Sequence, residues 1–134
     1  MATADRETLL ADYRRVREAS TAMCRPLEPE DYRIQPFEEV SPPWWNLGHT
    51  TWFFACNVLG PLGGERTAED EALDFLLNSY YVALGPRVER FRRGLVTRPT
   101  TEQIYRYRAS VDERVERLVH AIDEERWRQF VFLM

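Results

Sequence analysis

Apolar residues along the 134-residue chain recur at helical spacing, and no stretch alternates apolar with polar for long enough to make a strand. Leu9, Tyr13, Val16, Ser20 and Met23 fall four and three apart, which predicts a first helix from Thr3 to about Met23 with that stripe facing inward. Pro26, Pro29 and Pro36 then break up RPLEPEDYRIQPFEEV, which should lie extended on the surface. A second helix should begin at Ser41, its hydroxyl capping free N–H groups, with Pro42 at the first helical position and Gly60-Pro61 as its stop. TAEDEALDFLLNSYYVALGP opens on a Thr67 cap and first-turn acids, and is expected to run to Gly85-Pro86. A loop with five arginines between Arg87 and Arg98 follows. The last long helix opens at Thr100, where Thr100 and Gln103 fit a capping box, and carries the stripe Ile104, Tyr107, Val111, Val115, Leu118 and Ile122. Glu102 with Arg106 and Glu113 with Arg117 pair at i,i+4 on its wet side. FVFLM then looks like the uncapped opening of a further helix. The pattern as a whole predicts one all-α, bundle-like domain over residues 1–134.

Composition narrows the function classes. A 15.9 kDa chain with 44% hydrophobic and 30% charged residues has the balance of a folded globule and the size of a single core. No apolar run approaches the ~20 residues of a membrane span. MATADRETLL carries acids where a secretion signal would be basic and then apolar, so a cytoplasmic location is expected, with no membrane partner. Cys24 and Cys56 form neither a C-x-x-C pair nor a disulfide framework, and reduced thiols are the expectation. The net charge of −4 argues against a nucleic-acid partner, although all 18 basic residues are arginine.

Chemistry concentrates in SPPWWNLGHTTWFF. On a helix from Pro42 to Leu59, Trp45, His49, Trp52 and Cys56 share a face, while Asn46, Thr50 and Asn57 lie opposite. His49 should therefore point into the bundle, where an imidazole needs a hydrogen bond or a metal. A core histidine bonded to a carbonyl or a tyrosine is the simpler account, because metal sites in bundles draw several ligands from facing helices. His120 falls off the core stripe and reads as a surface residue, and Asp112 and Glu116, one turn apart, read as part of a charged wet face. The residues alone thus support one interior histidine and no complete site.

Four motifs add to this. SPPWWNLGHTTWFF, FLLNSYYVALGPR, RRGLVTRPT and YRASVD, in that order from about Asp31 to Val115, resemble the N-terminal DinB-like domain of the non-haem iron sulfoxide synthases of ergothioneine and ovothiol biosynthesis. The resemblance implies a DinB-like four-helix bundle joined to a C-terminal lectin-like catalytic domain. It also implies iron(II) held by three histidines, one in the motif W-x-L-[AG]-H-T and two in an H-x-x-x-H on the last helix. The family joins a cysteine-type thiol to the imidazole carbon of a histidine derivative, using oxygen. His49 matches the first ligand, and Arg87, with Arg90 second to it, matches arginines near the thiol substrate's carboxylates; a guanidinium suits that task. Asn78, Ser79, Tyr80 and Tyr81 match an N-S-Y-Y motif and are assigned to packing and loop positioning.

The chain departs from the family in having no H-x-x-x-H and no C-terminal domain, and in carrying Ala55 and Cys56 where a Glu commonly follows W-F-F. The expectation is accordingly a bundle truncated before or within its last helix, inactive alone and binding no iron by itself. The alternative is a stand-alone, metal-free DinB-like binding module whose open edge is closed by a partner or by self-association.

Overall fold

WWNLGHTTWFF is bulky and apolar almost all round, and a helix of that kind must be buried on most of its faces. In the computed structural model, which describes residues 5–79 and 87–134, it forms the central helix. The described residues hold five α-helices: α1 (Arg6–Met23), α2 (Pro43–Phe54), α3 (Ala68–Leu77), α4 (Thr101–Ala121) and α5 (Glu124–Leu133). They contain no strand, so the all-α expectation holds, with five helical segments where a four-helix bundle was expected. α2 continues into a π-helical turn over Ala55–Leu59, and 3-10 turns occupy Asp31–Arg33 and Arg90–Leu95.

α2 packs on both α3 and α4 because Gly48 lets them close. A Cβ there would lie 2.7 Å from Leu77 Cδ2 and 3.1 Å from Ile104 Cδ1. The α4 stripe is buried along its whole length, from Ile104 to Ile122, as its spacing predicts. Thr100 and Gln103 form the expected capping box, as do Thr67 and Asp70 on α3. α5 is capped as well: Asp123 accepts from Arg126 N at 2.9 Å, and Trp127 and Phe130 are buried. The apolar end of the chain therefore belongs to a helix begun six residues before FVFLM, with the cap that FVFLM itself lacks.

The inward face of α1 differs from the expected stripe. Leu10, Tyr13 and Arg17 are buried, whereas Val16 is 56% and Met23 76% exposed. Charge rather than hydrophobicity decides the rotation. Arg17 Nε donates to Asp112 Oδ1 at 2.7 Å and its Nη2 to Thr51 Oγ1 at 2.7 Å, while Tyr13 OH donates to the same carboxylate at 2.6 Å. Arg108 of α4 extends this seam, donating to Leu47 O at 3.0 Å and Arg17 O at 3.1 Å. Burial pushes the Arg108 guanidinium down to about 10, with Arg17 adding to the effect, so it stays charged at neutral pH. Asp112 and Glu116 are thus occupied within the fold, Glu116 by Arg14 Nε at 2.7 Å.

A buried ion pair ties α3 to α4. Asp70 is fully buried and meets Arg114 through both carboxylate oxygens, with Arg114 Nη2 to Asp70 Oδ1 at 2.8 Å. The same carboxylate accepts from Thr67 N at 2.9 Å in the capping box. Burial alone raises its pKa, but the Arg114 hydrogen bonds, the Thr67 N–H and the arginine charges outweigh that and hold it below the usual carboxylate range. A depressed folded pKa gives stability that is present above the unfolded value of about 3.9 and is lost as pH falls below it. Asp70→Asn is expected to lower the unfolding free energy by about 3–5 kcal/mol at neutral pH. Urea midpoints will show this, with a smaller loss at about pH 3, where the carboxylate's contribution is already fading.

Candidate functional site

Trp45, His49 and Trp52 stand at i, i+4 and i+7 on α2, and all three ring N–H groups reach the end of α3. Trp45 Nε1 donates to Leu76 O at 2.7 Å, His49 Nδ1 to Leu77 O at 2.6 Å and Trp52 Nε1 to Asp74 Oδ1 at 2.9 Å. The last carbonyls of any α-helix have no donor in their own backbone. Here two rings of a neighbouring helix supply it. α3 therefore ends at Leu77, where Asn78 turns extended at φ −67° and ψ 143°, rather than running on to Gly85-Pro86. Asn78 and Ser79 are buried, in keeping with a packing role. Tyr80, Tyr81 and Gly85-Pro86 lie outside the described residues.

The Leu77 contact decides the histidine's chemistry. A carbonyl oxygen only accepts, so Nδ1 must carry the proton and Nε2 keeps its lone pair. Nε2 has no hydrogen-bond partner among the described residues. The half-buried ring is sandwiched between Trp45, at 4.5 Å between centroids and 12° between planes, and Trp52, at 5.6 Å and 17°. Burial lowers its pKa, the Leu77 bond opposes that shift and the charge of Arg93 adds to it, with a net fall below the ordinary value. His49 is a neutral imidazole at pH 7 with one nitrogen held and the other available.

The arginine loop is less solvated than its composition suggests. Arg93 is only 3% exposed and lies over Trp45, its guanidinium carbon 3.4 Å from the ring centroid. Its Nη1 donates to Ser41 Oγ at 2.7 Å. Ser41 therefore does not cap α2, whose N-cap is Pro42 with no side-chain hydrogen bond. The result is a column of four flat groups, Arg93, Trp45, His49 and Trp52. Burial pushes Arg93 down to about 10, with Arg90 and Arg87 contributing, and it remains a cation at pH 7.

The Pro-rich segment is pinned to this loop. Gln35 Nε2 donates to Arg90 O at 2.7 Å and Gln35 Oε1 accepts from Gly94 N at 2.7 Å. A Cβ at Gly94 would sit 2.7 Å from that of Gln35. Arg33 donates to Val96 O at 2.7 Å and Pro99 O at 3.0 Å, with its guanidinium 4.5 Å above Trp44. Arg87 is exposed and donates to Ser79 O, and Arg90 is half-buried. With Arg93, Ser79, Glu38 and Glu39 they line a cavity of about 400 Å³.

The structure thus connects the two features singled out in the sequence, His49 and the arginine loop, through Arg93 and Trp45. Cys56 lies in the π-turn beyond the stack, and both thiols are free and pushed up by burial. His120 is exposed, 3.7 Å from Glu7. Among the described residues no three His, Cys, Asp or Glu side chains gather as a metal site. Arg93 is the member of the site that sequence reasoning missed, since nothing local in RFRRGL distinguishes it from its neighbours.

A depressed histidine pKa makes the fold lose stability as pH falls below the unfolded value of about 6.5, because the unfolded imidazole takes up a proton that the folded one refuses. Urea midpoints of the metal-free chain should decline as pH falls below about 6.5. His49→Gln should flatten this decline.

A search of curated proteins returned no match to the chain. A sequence profile of the DinB superfamily matches residues 12–132, a span that begins in α1, takes in the whole Trp45, His49 and Trp52 face, and ends in α5. The chain belongs to the DinB superfamily.

Proposed function

We propose that this chain is the iron-binding bundle of an oxygen-dependent sulfoxide synthase of the ergothioneine or ovothiol kind, to which His49 contributes one ligand. The observation that carries the reading is the Nδ1 hydrogen bond to Leu77 O, which leaves Nε2 as the basic nitrogen. A backbone carbonyl on one ring nitrogen is the usual arrangement behind a metal-ligating histidine, because it fixes both tautomer and ring orientation. The four sequence motifs supply the family, and the DinB superfamily match is consistent with it.

The fit to iron is partial. One nitrogen is suitable, and no second or third donor joins it among the described residues. In this reading the other two histidines and the C-terminal catalytic domain lie outside residues 1–134. The chain's own tasks are to orient and to bind. The tryptophans hold His49 in plane and neutral, and Arg87 and Arg90 offer guanidinium groups to the carboxylates of a thiol substrate across the cavity they line.

One observation favours the alternative, a metal-free binding or self-associating module. A second cavity, of about 330 Å³, lies between α1, α2 and the end of α5; Leu9, Val16, Phe53, Phe54, Leu133 and Met134 form its apolar part, beside Asp12, Arg15 and Arg17. An exposed apolar surface of that kind suits another protein surface.

Anaerobic iron(II) titration separates the two readings. The chain alone should bind weakly, while a version continued in its reading frame to include an H-x-x-x-H should bind one iron tightly and lose it in His49→Ala. Equal failure of both would move the assignment to the binding module, with a concentration-dependent dimer as its signature in sedimentation.

A further inference from the structure

Arg93 is a buried cation that has no counter-ion among the described residues. Among the described residues no carboxylate forms an ion pair with it, although Glu38, Glu39 and Glu89 line the same cavity, and Arg90 and Arg87 repel it. Glu89, on the same cavity, is engaged by Arg92 at 3.3 Å. Among the described residues only Nη1 is used, by Ser41 Oγ, and Nε is buried without a partner. A cation taken out of water is ordinarily kept only when an anion or a full set of acceptors compensates it. Arg93 has the face of Trp45 and one hydroxyl.

The unused edge, Nε with Nη2, is the fork that takes a carboxylate through two parallel hydrogen bonds. Arg93 also lines the cavity of about 400 Å³ with Arg87 and Arg90. We propose that Arg93 is the central carboxylate-binding group of this cavity, and that its occupancy is passed to His49 through the Trp45 ring. Two carboxylates of one ligand then have separate receivers, one at the deep Arg93 edge and one at the outer Arg87 and Arg90 pair. A bidentate anion reorients the guanidinium that lies on Trp45, and Trp45 is the ring stacked on His49. The proposal rests on the reading above in one respect, that Arg87 and Arg90 face a carboxylate, and it needs no metal.

The test is a titration of the full ¹⁵N-labelled chain with sodium succinate against sodium chloride at matched ionic strength, followed by NMR. The Arg93 Nε–H resonance should shift saturably with succinate and hardly with chloride. The Trp45 indole N–H and the His49 ring should move with the same midpoint, while Trp127 and His120 stay in place. Arg93→Lys, which keeps the charge but not the fork, should weaken binding about tenfold. Arg92→Gln, at the exposed neighbour, should not. No saturable shift in the wild-type chain would overturn the proposal whether or not any variant folds. Shifts confined to Arg87 and Arg90, with Arg93 Nε–H unmoved, would overturn it while leaving their substrate assignment intact. Failure of the extended chain to bind iron would sink the sulfoxide synthase reading and leave the succinate result standing.

Discussion

The carbonyls at the end of α3 must find donors, and α2 provides them from side chains rather than backbone. Two ring N–H groups take Leu76 O and Leu77 O, and a third takes the Asp74 carboxylate. Helix ends left without partners inside a protein are costly, so this contact decides where α3 stops and how closely it approaches α2. Gly48 makes the approach sterically open. The position, plane and tautomer of His49 then follow from packing. A site histidine held in this way is part of the fold's own hydrogen bonding, which makes its orientation as firm as the helices that share it.

The second organising feature is that arginine serves as a structural residue. Arg17, Arg93, Arg108 and Arg114 are all buried. Only Arg17 and Arg114 meet carboxylates, Asp112 and Asp70. Arg108 is satisfied by carbonyls and hydroxyls, whereas Arg93 keeps an unused edge. A planar guanidinium can lie on an aromatic ring while its edges donate, which a lysine ammonium cannot do. The loop holding Arg93 is in turn fixed by Gln35 and Arg33 from the Pro-rich segment. Residues far apart in sequence therefore jointly shape the cavity beside the aromatic column.

Strong periodicity was legible in the chain, and so were local caps. The α4 stripe and the Thr100 and Thr67 caps need only residues within one helix, and each stands where its spacing places it. The common face of Trp45, His49 and Trp52 was equally readable. What depends on partners distant in sequence was not. Arg17 buries itself because Asp112 and Thr51 receive it, 95 and 34 residues away, and this rotates α1 so that Val16 faces out. Ser41 has the residue type and place of a cap, yet its hydroxyl goes to Arg93. α3 ends early because of donors on another helix, which a stop signal at Gly85-Pro86 does not reveal. Of the candidate site, the imidazole was visible and its tautomer and its link to the arginine cavity were not.

Both the end of α3 and the chemistry of the site depend on which nitrogen of His49 carries the proton. Long-range ¹H–¹⁵N correlation of the labelled imidazole at about pH 7.5, above the ordinary histidine pKa of about 6.5, reads this directly. The prediction is an Nδ1–H tautomer, with Nε2 showing the shift of an unprotonated nitrogen. An Nε2–H tautomer would contradict the Leu77 hydrogen bond, and with it both the capping of α3 and the case for His49 as a ligand.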